Sequence, residues 1–292
     1  MNVILRPVFN RPEMMRLSFE YEIAAREHFM LPGEFITVFI IEHGSPQKTL
    51  DLVEAYPFEN RHIIRNQKLG LSINILEGMK EVFTTADDYI IHLEDDVLLH
   101  KTYFQYMNVL FNMDIGKFSV LSPFNQDDGG NINEVYKGHH YAALAPLITK
   151  KFFMDYIIHC INPSYYKNFD TRANFVASLD KNFVKDERYK YKTTAHNEQA
   201  GLINRLVDIA MIQDDMHVMM PRVNRQQHIG YFGKNRPGGT IPGNSFDERL
   251  INLREIIKDA NMMYKLSKTP QYNDYAVFSP KLEEWDGTLY VK

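Results

Sequence analysis

Cysteine is nearly absent: Cys160 stands alone in 292 residues. No intrachain disulfide can form, and one thiol in the apolar setting of Phe152 to Ile161 reads as a core residue rather than a nucleophile. A reducing, cytoplasmic compartment fits that usage. Long hydrophobic runs are missing as well. The longest obvious one, Phe35 to Ile41, is the size of a strand, so no membrane span and no membrane partner are expected. A signal peptide is not expected either, because Asn2 to Phe9 reads as a first strand with Arg6 inside it. The net charge is only −4, which does not advertise nucleic acid or a lipid surface as the partner of the whole chain. No repeat, low-complexity tract or linker divides the sequence. Two nucleotide-binding signatures are lacking: G-x-G-x-x-G does not follow the first strand, and G-x-x-x-x-G-K-[ST] occurs nowhere. Dinucleotide enzymes and P-loop enzymes are thereby disfavoured.

What is present is an ordinary globular composition, 45% hydrophobic and 24% charged, long enough for one large α/β domain or one domain with a smaller lobe. Strand-like and helix-like stretches alternate. Val3 to Phe9, Phe35 to Ile41 and Arg61 to Arg65 predict strands. Helices are predicted from Pro12 to Phe29, Lys48 to Ala55 and Ser72 to Phe83, the last capped by Ser72. That alternation implies right-handed βαβ crossovers, hence an α/β fold with a mostly parallel central sheet flanked by helices, Rossmann-like in its first half. Further on, Phe118 to Phe124, Glu134 to Tyr141 and Met216 to Val223 predict strands. Phe152 to Cys160, Asn197 to Met211 and Phe246 to Lys265 predict helices, and Gln271 to Lys292 a tail wrapping the surface.

The most informative stretch is Tyr89 to Val97, Y-I-I-H-L-E-D-D-V. An apolar run suited to a buried parallel strand breaks into Glu94, Asp95 and Asp96. Carboxyl ends of such strands face the crevice where open α/β sheets bind ligands. Adjacent acids repel one another and favour a cation. Carboxylates together with phosphate oxygens suit a hard divalent ion, Mn²⁺ or Mg²⁺. The plainer alternative is a solvated strand end.

Four stretches in order resemble GT-A fold glycosyltransferases that use a nucleotide-sugar donor. The first strand ends in F-N-R-P, the second in I-E-H-G-S, and the fourth in L-E-D-D at the position of a D-x-D-like motif. Late in the chain, P-R-V-N-R-Q-Q-H-I-G-Y-F-G-K-N is similar to a segment of N-acetylglucosaminyltransferase-I-like members and their bacterial and phage relatives. The resemblance implies one catalytic domain: residues 1–113 as the nucleotide-sugar half, 114–245 as the acceptor side, and 246–292 as a C-terminal helix and tail. It also implies a UDP-sugar donor, an acceptor hydroxyl and inversion. Asp96 would be the direct metal ligand, with His228 or Asn235 completing the metal or diphosphate site. Asp95 or Glu94 would reach ribose or metal-bound water. Arg6, Phe9, Asn10 and Arg11 would line the nucleotide pocket, Glu42 would approach the base, and Arg225 would contact the diphosphate. The general base would be Glu198, at the start of a helix, with Asp180 and Asp215 as rivals.

The acceptor is less legible. Residues 164–194 hold seven Lys and Arg against four Asp and Glu, a local excess of three positive charges, interleaved with tyrosines and phenylalanines. Basic groups among aromatics suit a nucleic-acid backbone and an exposed base. With the phage resemblance this makes hydroxymethylated cytosine in DNA one acceptor, in host cytoplasm; a saccharide is the other. Two rivals to the enzyme reading are a nucleotidyltransferase, which would usually carry a glycine-rich basic loop after the first strand, and a catalytically silent binding protein.

Overall fold

The computed structural model describes residues 1–29, 32–113, 118–125, 129–139, 141–158, 185, 187, 202–213, 215–230, 232, 239–259 and 278–292. Its centre is β1 (Asn2–Val8), buried on both faces except at its first residue. β1 pairs in parallel with β2 (Phe35–Ile41) on one side and with β4 (Tyr89–His92) on the other, so that Leu5 lies between Val38 and His92. β3 (Asn60–Ile64) extends the sheet in parallel beyond β2. The crossovers are α1 (Pro12–His28), α2 (Gln47–Glu54) and α3 (Leu71–Phe83). The chain therefore builds outward through β2 and β3, then crosses back to lay β4 against the opposite side of β1. That reversal is a topological switch point, and the turns after β1 and β4 flank it.

The second half widens the sheet. α4 (Tyr103–Asn112), β6 (Phe118–Leu121), β7 (Glu134–Gly138) and β8 (Leu147–Thr149) come first. A short helix α5 (Lys150–Phe152) continues as a π-helical turn over Phe153–Ile157. Then follow α6 (Leu202–Gln213), β9 (His217–Pro221), α7 (Phe246–Lys258), a 3-10 turn at Pro280–Glu284 and β11 (Tyr290–Val291). Among the described residues the main sheet has nine strands, ordered β11-β7-β9-β6-β8-β4-β1-β2-β3. It is mostly parallel; β8 runs antiparallel to both β4 and β6, and β7 antiparallel to β9. This is the expected α/β architecture.

Packing follows the two faces of the sheet. Val3, Leu5, Val38, Ile40 and Ile90 meet α3 and α6 on one side. Ile4, Ile91, Leu121 and Leu147 meet α4 on the other. A third cluster seats Leu98, Ile229 and α7 on Met14 and Leu17 of α1. Burying such side chains contributes about 1.5–3 kcal/mol each. Among the described residues, no helix is long and apolar enough to cross a membrane.

Several boundaries differ from expectation for physical reasons. Tyr89 to Val97 is not one strand. It breaks after His92, and β5 (Val97–Leu99) leaves the main sheet to pair antiparallel with β10 (Gln226–His228). Ser72 lies inside the first turn of α3; the cap position is Gly70, at φ +80°, a conformation that favours glycine. β8 goes unannounced in the sequence because three residues show no period. The tail does more than wrap the surface, since β11 adds a strand beside β7. Cys160, Asp180, Glu198 and Asn235 lie outside the described residues, as does all of 164–194 except Lys185 and Glu187.

Candidate functional site

The switch point brings together two turns that lie far apart in sequence. Arg11 follows β1 at the cap position of α1, with Pro12 fixing the first helical residue. Glu94, Asp95 and Asp96 follow β4. The Arg11 guanidinium forks across the acid motif: Nε donates to Asp95 Oδ2 at 3.2 Å, one terminal nitrogen pairs with Asp95 Oδ1, and the other with Asp96 Oδ2. Both aspartates are buried, whereas Arg11 keeps 24% of its side chain exposed toward solvent.

Asp96 is held from a second direction. The β5–β10 ribbon places His228 opposite Val97, the Ile229 amide donates to the Asp96 carbonyl at 2.9 Å, and His228 Nε2 faces Asp96 Oδ2 at 3.3 Å. Gly230 closes the arrangement. A Cβ there would run into Asp96 Oδ2 and His228 Nε2, so only glycine leaves room for the pair. Asp96 Oδ1 is buried and has no hydrogen-bond partner. The two carboxylates are driven apart electrostatically. Burial and the neighbouring charge of Asp96 push Asp95 up against the pull of Arg11. Burial also opposes the charge on Asp96, but Arg11 and His228 outweigh it and hold that carboxyl below the usual range.

The other expected residues divide into two groups. Phe9 and Asn10 lie in the turn after β1, and Lys68 from the β3–α3 loop stands 5.0 Å over the Phe9 ring. Glu42, after β2, spends its carboxylate on the backbone: Oε1 accepts from Leu69 N at 2.9 Å and His43 N at 3.1 Å, Oε2 from Gly70 N at 2.7 Å. It shapes the loop beside the crevice rather than presenting free oxygens there. Glu94 is half-buried, with Oε1 3.9 Å from His92 Nε2.

Three expected contacts are redirected by the structure. Arg6 is fully buried and pairs with Glu22 and Ser18 behind β1. Arg225 is also buried; it donates to the carbonyls of Val223 and Ile132, each at 2.7 Å, and packs against the rings of Tyr106 and Trp285. A guanidinium so engaged is part of the scaffold and does not reach a diphosphate in the crevice. Asp215 precedes β9, which runs in the same direction as β4 through two antiparallel steps. It therefore lies at the end of the strands opposite Asp96, which removes it as a base. The β5–β10 ribbon, Gly230 and His92 have no periodic signal in the sequence.

A switch-point acid motif beside a basic turn is an arrangement for a charged nucleotide ligand. Residues 3–162, more than half of the chain, match the profile of Glycosyl transferase family 2. The chain belongs to that family. A search of curated proteins finds no match. Solved structures similar to this family member include S. aureus TarS 1-349 in complex with UDP-GlcNAc. It is 12% identical with a TM-score of 0.38, over 53% of this chain and 46% of that one. TarS 1-349 alone gives 12% identity and 0.41 over 64% and 56%. Mannosyltransferase PcManGT from Pyrobaculum calidifontis, in complex with GDP-Man and Mn²⁺, gives 7% identity and 0.39 over 72% and 69%. This chain spans about half the length of the TarS 1-349 structures it matches.

Among the described residues no three His, Cys, Asp or Glu side chains converge. Asp96 and His228 offer one hard oxygen and one imidazole, and the buried Oδ1 lacks a partner. Two protein ligands, with substrate phosphates and water supplying the rest, is the usual provision for Mg²⁺ and suits Mn²⁺. The residues fit such an ion.

Proposed function

We propose that this protein transfers a sugar from a nucleoside diphosphate sugar, a UDP-sugar, to an acceptor hydroxyl with inversion, using Mn²⁺ or Mg²⁺. The observation that carries this reading is Asp96: a buried carboxylate at the switch point, faced by His228, backed by Gly230, with one oxygen unpartnered. When bound, the cation would neutralise charge that develops on the departing diphosphate. The chain's own residues do the rest. Asp96 and His228 would hold the ion, Phe9 and Asn10 would border the nucleotide, and Arg11 stands near enough to the acids to share the diphosphate. Glu42 fixes the loop at Leu69 and Gly70 that borders the base pocket. Glu198 is assigned as the base that takes the acceptor proton.

The likeness to N-acetylglucosaminyltransferase-I-like enzymes and phage relatives rests on the four sequence motifs. Hydroxymethylcytosine in DNA, suggested by the basic and aromatic stretch 164–194, and a glycan hydroxyl are the two acceptors to be tried. The testing experiment is a nucleotide-sugar panel with and without Mn²⁺, read by thermal shift, because a ligand that binds the folded state raises its melting temperature. One UDP-sugar should stabilise the protein only with metal, and Asp96→Asn should lose that response. Glu198→Gln should keep donor binding and lose turnover. No shift with any donor would return the acid motif to an ordinary strand end. Transfer assays on hydroxymethylated DNA and on glycans then decide the acceptor.

A further inference from the structure

Arg11 occupies the acid motif in a way that bears on how a cation could enter it. Its fork takes both oxygens of Asp95 and the Oδ2 of Asp96, the same oxygen that His228 faces. A divalent ion bound to Asp96 and His228 would stand within a few ångströms of the guanidinium, and two cations on one buried carboxylate repel strongly at that range. Among the described residues the Arg11 side chain donates to no other group, and its backbone is tied to α1 by the Met15 amide at 3.0 Å. Arg11 sits at the start of α1 with non-helical dihedrals, φ −122° and ψ 60°, its side chain makes no cap bond, and at 24% exposure it is more open to solvent than Asp95, Asp96, His228 or Glu94. A guanidinium forks as readily onto phosphate oxygens as onto carboxylates.

We infer that Arg11 is the residue that makes metal binding depend on the donor: it neutralises Asp95 and Asp96 while the crevice is empty, and transfers its fork to the diphosphate when the nucleotide arrives, freeing Asp96 for the cation. The inference rests on the metal-dependent reading above and adds an order to it. The free protein binds divalent cations poorly. Nucleotide and cation then strengthen each other, because each removes an obstacle to the other. By linkage the effect is reciprocal.

The test is isothermal titration of Mn²⁺ into the full chain, alone and with saturating UDP or GDP, for the wild type, Arg11→Met, Arg11→Lys and Asp96→Asn. Wild-type protein should bind Mn²⁺ at least about tenfold more tightly with nucleotide than without, a coupling within the usual range. Arg11→Met should bind free Mn²⁺ at least about tenfold more tightly than wild type and show a smaller dependence on nucleotide, the part that remains coming from phosphate ligation of the ion, while its nucleotide affinity falls. Arg11→Lys keeps the charge without the fork and should fall between, so the inference stays testable should the Met variant misfold. If free Mn²⁺ binds either Arg11 variant no more tightly than wild type, Arg11 does not guard the site and the inference fails, although the metal reading stands. If Asp96→Asn binds Mn²⁺ as wild type does, the metal site itself is wrong and both fail.

Discussion

His92 makes folding stability depend on pH in a way that can be worked out from its surroundings. It ends β4 with an imidazole that is inaccessible to solvent and has no hydrogen-bond partner on either nitrogen. Glu94 Oε1, 3.9 Å away, is beyond hydrogen-bond reach. Burial pushes the imidazole pKa down to about 4, with Asp96 pulling the other way. In the unfolded chain a histidine titrates near ~6.5. The folded value is the lower one, so between the two the unfolded chain binds more protons, and stability rises with pH. The contribution is complete above the unfolded value and is lost as pH falls toward the folded one.

At pH 5 the loss from this residue is about 2 kcal/mol, at roughly 1.4 kcal/mol per pH unit. That corresponds to several degrees in Tm. The assay is denaturant unfolding of wild type and His92→Leu at pH 7.5, 6 and 5. The leucine variant should be at least as stable at pH 7.5, because it removes two buried nitrogens without partners. Its advantage should grow by about 2 kcal/mol on going to pH 5. His100 is also pushed down to about 4, by burial against the pull of Glu283, but it titrates in both proteins and cancels in the difference. Parallel stability curves for the two proteins would refute the reasoning.

Glu22 lies at 0% exposure between Arg6 and Arg26 and accepts from the Tyr56 hydroxyl at 2.6 Å. Glu22→Ala would strand two guanidinium groups and should cost about 3–5 kcal/mol in denaturant unfolding; a loss under about 1 kcal/mol would show the network to be solvated. Gly230→Ala should cost about 1–3 kcal/mol as the new methyl displaces Asp96 or His228, and titration should find Mn²⁺-dependent nucleotide binding gone. Trp285 packs 5.0 Å from the Arg225 guanidinium, and Arg225 leads directly into β10. Trp285→Ala should weaken Mn²⁺ binding in the presence of UDP more than it weakens UDP alone, and Trp285→Phe should restore most of it. Equal losses in both titrations would make the tryptophan a matter of general stability.

How much of this was legible follows from how local each signal is. β2 is seven consecutive apolar or β-branched residues and appears within its predicted bounds. α1 and its Pro12 start are equally local. The acid motif could be read as a strand end facing a crevice because β4 is apolar up to that point. β5 and β10 could not be read, since each is three residues long and exists through the other. His228 was singled out through the resemblance of its segment to the glycosyltransferases, yet its meeting with Asp96 depends on a pairing register that no short window contains. Gly230 is similar: its missing side chain matters only because Asp96, far earlier in the chain, occupies the space.

The three arginines show the same limit in terms of chemistry. Arg11 and Arg225 follow predicted strand ends as candidates for a phosphate, and Arg6, inside the first strand, was expected to line the nucleotide pocket. Period decides Arg6: with Ile4 on the face toward α4 and Leu5 on the face toward α3, residue 6 turns toward α1, where Glu22 waits. Partners decide Arg225, whose fork meets two carbonyls and which packs against Tyr106 and Trp285. Of the three, only Arg11 combines a charged neighbourhood with partial exposure. A buried guanidinium with internal partners stabilises a fold, and freeing it would cost several kcal/mol in a desolvated charge left behind. A partly exposed one that bridges two carboxylates can exchange them for a diphosphate when a cation takes its place on them. On that ground Arg11, rather than Arg6 or Arg225, is the arginine through which this site can respond to its donor.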